Sequence, residues 1–222
     1  IGVLPVSAAE FNYITPVFPV RARQYWRQGG DIKEIKRLSE LVIKHQLPST
    51  WLLHYDVLFD NEILNQLRTS NYQLPATEFG LFLEVTRKLA EDSFVKYDWE
   101  QGSWSQADKI FLSGYTRQER QRMIDKAFGS FKANFGSYPK SYGAWYVDVW
   151  SMEYIRDKYG ADIVLGLADQ YSTDGYQTWG QYINLPYFVS KKMALEPAAN
   201  AGDSTKILKI QWAPRHPVLS YG

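Results

Sequence analysis

Three carboxylates in this sequence each follow an apolar run: Glu84 after TEFGLFL, Asp148 after SYGAWYV, and Asp169 after DIVLGLA. A carboxylate at the end of an apolar strand stands where the core meets water. Two such groups whose surroundings split their pKa values can act as acid and base, or as acid and nucleophile. Glu84, Asp148 and Asp169 are therefore the catalytic candidates. Each also has a structural alternative, an ion pair with Arg21 or Arg23, or a helix N-cap for Asp148. Arg21 and Arg23 close the run VFPV, and Asp56 follows STWLLHY. Arginine offers a planar donor fork suited to carboxylate or phosphate groups on an acidic saccharide. The same two arginines would equally well neutralise Glu84 and Asp148 in an inert network. Trp145, Tyr171, Asp174 and Trp179 complete the binding candidates, because flat rings cover sugar C–H faces while polar tips reach hydroxyls.

Other chemistries lack their residues. The chain has no cysteine, which removes disulfides, thiolate metal sites and cysteine nucleophiles. It has three histidines: His45 within a helical pattern, His216 near the end, and His54 near the expected rim. A lone histidine is more often structural than a ligand, so no metal residue is assigned and no cofactor is expected. An all-oxygen site from Asp56, Asp148 and Asp169 is the weaker alternative. No G-x-S-x-G is present. Gly29-Gly30 carries no phosphate-loop lysine, and the Asp169–Gly175 stretch lacks the closing glutamate of a calcium loop, with Gly180 in that place.

The elements that must position these groups alternate in type. Strands are expected at 13–20, 49–55, 77–85, 141–147, 162–168, 181–189 and 207–212. Asp31 opens a helix with apolar residues at Ile32, Ile35, Leu38, Leu41 and Val42. Asp60 caps a second around Ile63, Leu64 and Leu67. Thr86 to Ser113 reads as a long irregular loop. Thr116 and Glu119 form a capping box for the clearest helix, with Gly136 at its C′ position. Ser151 is expected to cap a further helix closed by Gly160. Strand and helix in alternation imply parallel pairing with right-handed crossovers. The fold class is α/β: a (β/α) barrel of about seven mostly parallel strands, distorted or incompletely closed. In such folds the sites gather at the C-terminal strand ends, where the candidates above fall.

Composition bounds the function further. The 222 residues, 45% hydrophobic and 22% charged, suit a single barrel domain over 1–222. Twenty-five basic against 24 acidic residues leave no basic excess for nucleic acid. No stretch approaches the ~20 apolar residues that span a bilayer. Aromatic residues reach 16%, which favours a polyol or glycan partner. The ends of the sequence suggest a segment of a longer protein.

The order of segments resembles the polysaccharide deacetylase (NodB-type) domain of the glycoside hydrolase/deacetylase barrel group. Leu47-Pro48-Ser49-Thr50-Trp51-Leu52-Leu53 is similar to the family's second strand. Thr77-Glu78-Phe79-Gly80-Leu81-Phe82-Leu83 is similar to its third, and Pro139-Lys140-Ser141-Tyr142-Gly143-Ala144-Trp145 to the strand with the family's R-x-P-x-G pattern. The resemblance implies the barrel and a glycan-facing groove; the expected setting is bacterial and secreted, extracellular or at the cell surface. It does not carry over the family's metal site. Arg21, Ala22 and Arg23 stand where the family ends its first strand in two aspartates, and Phe82 and Thr86 stand at its metal histidines. The expectation is a carbohydrate hydrolase working through rim carboxylates on a polysaccharide or oligosaccharide. The alternative is a non-catalytic, glycan-binding relative.

Overall fold

The computed structural model describes residues 16–26, 32–71, 77–97, 107–166 and 185–211. Among these residues seven strands form one sheet: β1 (Val17–Val20), β2 (Ser49–His54), β3 (Thr77–Phe82), β4 (Ser141–Gly143), β5 (Ile163–Gly166), β6 (Tyr187–Ser190) and β7 (Ser204–Gln211). Their order is β1-β2-β3-β4-β5-β7-β6. Pairings from β1 through β5 to β7 are parallel, and β6 runs antiparallel to β7. No pairing joins β1 to β6 among the described residues, so the sheet is an α/β barrel left open by hydrogen bonding.

The helices are α1 (Lys33–Lys44), α2 (Asn61–Asn71), α3 (Arg87–Asp92), α4 (Ala107–Ile110), α5 (Arg117–Phe135) and α6 (Val149–Tyr159), with 3-10 turns at Arg23–Tyr25, Tyr55–Phe59 and Leu112–Gly114. α1 buries Ile35, Ser39 and Val42, whereas Leu41 is exposed, so the buried stripe is narrower than the sequence pattern. Within the loop expected at 86–113, the described residues 86–97 and 107–113 carry helical segments. Thr86 caps α3 by accepting from the Leu89 amide, and α4 follows at 107–110. The capping box at Thr116 and Glu119 and the left-handed Gly136 and Gly160 stand where the sequence places them.

Alternation along the strands splits the core in two. Trp51, Leu53, Leu81, Tyr142 and Val164 face the helices and join the large core with Phe128 and Ile155. Leu52 and Phe82 face the other side and pack with Ile110, Phe111 and Trp145. This second, inner face is narrow. A Cβ on Gly80 would meet the Ser141 carbonyl at 2.6 Å, and one on Gly143 would meet Leu52 Cδ1 at 2.6 Å.

Candidate functional site

At the C-terminal end of the inner face, His54 ends β2, and Glu84 lies two residues beyond the last residue of β3. The parallel register sets His54 opposite Phe82, and the two rings stack at 5.4 Å. Glu84 Oε2 lies 2.9 Å from His54 Nε2 and 3.0 Å from Arg21 Nη2. Arg21 Nη2 also donates to Oε1 at 3.2 Å, and its guanidinium lies over the Trp145 ring at 5.1 Å. Tyr25 sets an edge against His54 at 5.4 Å. The group is deeply enclosed: His54 is 0% exposed and Glu84 2%.

Burial by itself would raise the Glu84 carboxyl. His54 and Arg21 outweigh it and hold the group below the usual carboxylate range. Glu84 is thus a fixed negative charge, with its proton-accepting sites already engaged. With the carboxylate ionised, His54 donates from Nε2, and its buried Nδ1 has no partner among the described residues. A histidine tied to a carboxylate can serve as a general base. Here the ring lies beneath Tyr25 and Phe82 with no exposed surface, which leaves no contact for a reacting sugar. Burial also pushes the Tyr97 hydroxyl up to about 12, with the Glu84 charge adding to the effect.

Asp148 takes different partners. It is the N-cap of α6, accepting from the Ser151 amide at 3.0 Å and the Ser151 hydroxyl at 2.6 Å. Arg120 Nη1 pairs with it at 2.6 Å. The helix therefore starts one turn earlier than a cap at Ser151 would set it, because a carboxylate accepts where a serine hydroxyl would compete. Of the inert network anticipated from the sequence, Arg21 does neutralise Glu84, but the partner of Asp148 is Arg120. Asp169, Tyr171, Asp174 and Trp179 lie outside the described residues.

Arg23 turns away from Glu84. Its Nε meets Asp60 at 2.5 Å and its Nη2 meets Glu62 at 2.6 Å. This Arg23 hydrogen bond holds Asp60 below the usual range, and Asp60 also accepts from the Ile63 amide as the expected cap of α2. Asp56 accepts from Gln24 Nε2 at 2.5 Å and from Thr86 Oγ1 at 2.8 Å. Between these two loops lies a cleft of about 400 Å³, lined among others by Arg23, Gln24, Asp56, Phe59, Asp60 and Asn61. Arg23 and Asp56 were legible as binding candidates. Gln24 and Phe59 were not, since neither stands out until the loops are brought together.

Solved structures decide the fold. Over 90% of this chain, the backbone matches a provisionally assigned glycoside hydrolase/deacetylase from Parabacteroides distasonis, with a TM-score of 0.59 and 13% identity. The chain has the polysaccharide deacetylase fold. A provisionally assigned polysaccharide deacetylase from Mycobacterium smegmatis matches 96% of it, with a TM-score of 0.53 and 10% identity. The matches span 44% and 63% of those two proteins. No family model and no curated protein matches the sequence.

Within this deacetylase-type barrel, the strand ends do not suit the metal site that the sequence resemblance would imply. Phe82 stacks on His54, Thr86 caps α3, and Arg21 occupies Glu84. Among the described residues no three His, Asp or Glu side chains come together as a ligand set.

Proposed function

We propose that this chain is a glycan-binding barrel of the deacetylase fold, in which the rim carboxylates build the surface rather than carry out hydrolysis. One observation carries the reading: Glu84, a catalytic candidate just beyond the end of β3, is buried between Arg21 and His54. A general acid needs a raised pKa, and a nucleophile needs access to an anomeric or acyl carbon. Glu84 is held below the usual range and has 2% exposure. Asp148 is likewise engaged by a helix terminus and Arg120. Support for a glycan ligand comes from the shared fold and from the polar, aromatic-edged cleft beside the rim.

The test pairs calorimetric titration of soluble oligosaccharides with assays for acetate and reducing-end release, with and without added zinc. Binding without turnover is expected, and Glu84→Gln should lower the melting temperature while leaving affinity little changed. Release of acetate or reducing ends that disappears in Glu84→Gln would overturn the reading in favour of carboxylate catalysis.

A further inference from the structure

We infer that the cleft between the β1 and β2 ends selects a cationic sugar unit, one bearing a free ammonium group, with the Asp56 carboxylate as its counter-charge. This rests on the glycan-binding reading above and adds the charge class of the ligand. From the sequence alone, two arginines on one rim suit either an acidic saccharide or an inert network with the rim carboxylates. In the folded chain carboxylates already hold both: Glu84 holds Arg21, and Asp60 and Glu62 hold Arg23.

Asp56 differs from those carboxylates. Its hydrogen-bond donors, the Gln24 amide and the Thr86 hydroxyl, are neutral, and no cation pairs with it among the described residues. Lys88 lies over the Phe59 ring at 4.6 Å, but its charge is met by Asp92 at 2.9 Å. Among the described residues around the cleft, Arg23 stands against Asp56, Asp60 and Glu62, an excess of two negative charges. The α2 N-terminus offsets this by roughly half a charge. An anionic sugar is therefore repelled. A neutral one can donate hydroxyls to the carboxylate, and an ammonium adds to such bonds the attraction between opposite charges.

The remaining lining suits a sugar ring. Gln24 and Asn61 offer amides to hydroxyls, and Phe59, 51% exposed, offers an apolar surface to C–H groups. The volume of about 400 Å³ falls in the range of small-molecule pockets.

The experiment titrates the intact chain with three matched oligosaccharide series at low salt and mildly acidic pH: glucosamine, N-acetylglucosamine and galacturonate oligomers. Glucosamine oligomers should bind about tenfold tighter than acetylated ones, with galacturonate weakest, and added salt should narrow the gap. Asp56→Asn should erase the gap, with the glucosamine series losing far more affinity than the acetylated one. Asn61→Asp should widen it, and an acid at the first residue of a helix is compatible with folding. Equal affinities, or tighter galacturonate binding, overturn the charge preference and leave glycan binding standing. A preference unmoved in both variants overturns the assignment to this cleft. Failure of all three series to bind overturns the glycan-binding reading itself.

Discussion

Lys209 carries a buried charge with little compensation. The residue is 2% exposed in β7, paired with Val164 in the β5 register, and its amine donates to the Ala194 carbonyl at 3.1 Å. Gly166 makes room for it: a Cβ there would approach Lys209 Cε at 2.8 Å. Burial brings the amine down from its usual 10.5 to about 8. The folded chain therefore releases this proton near pH 8, while the unfolded chain keeps it to about 10.5. Stability should rise as pH climbs through that window, by up to ~3 kcal/mol, and the penalty is fully present below it. Lys209→Met should raise stability near neutral pH and flatten the slope. Denaturant melts at about pH 7 and about pH 10 check this, and equal slopes for both proteins would refute it. At the rim, residue chemistry explains why charge was legible and partnership was not. The sequence marks Arg21 and Glu84 as strand-end ions. It sets His54 near the same rim, but the ring's bond to Glu84 comes from the fold.

At the scale of elements, short-range signals are the ones that survive. The Thr116–Glu119 box, Gly136 and Gly160 each act within a few residues, and each appears as the local pattern requires. Asp148 is the informative exception, because it serves both a helix and a distant arginine. Asp148→Ala should cost about 2–4 kcal/mol, through loss of the α6 cap and the stranded Arg120. Thr116→Ala, which removes an exposed cap, should cost about 1 kcal/mol. Thermal melts of the two variants side by side test the ordering, and equal losses would mean that the Arg120 pair contributes nothing. The strands show the opposite tendency. β6 runs antiparallel at the edge of a sheet that reads as a parallel series, and its outer side is bonded by the Glu196–Ala198 stretch. β6 and β7 are joined by the return at Lys191–Asp203, which carries no helix of the kind that usually crosses between parallel strands.

For the whole molecule, the inner face of the sheet is filled by the chain itself. Leu52, Phe82, Ile110, Phe111 and Trp145 occupy it, and Gly80 and Gly143 are what let Leu52 in. Gly143→Ala should overpack this layer and cost about 1–3 kcal/mol, read as a drop in denaturation midpoint. A midpoint unchanged from the parent would mean that the layer is looser than the contacts at 2.6 and 3.2 Å imply. Alternating hydrophobicity and helix caps by themselves determined an α/β barrel of about seven strands, with charged groups at its rim, because those signals act between near neighbours. Only the tertiary structure decided that Arg21 closes on Glu84, that Arg23 turns to Asp60 and Glu62, and that among the described residues Asp56 meets only neutral donors. Each of those outcomes is a contest among ions 30 or more residues apart in sequence. Distances of a few ångströms decide it, and the order of residues does not encode them.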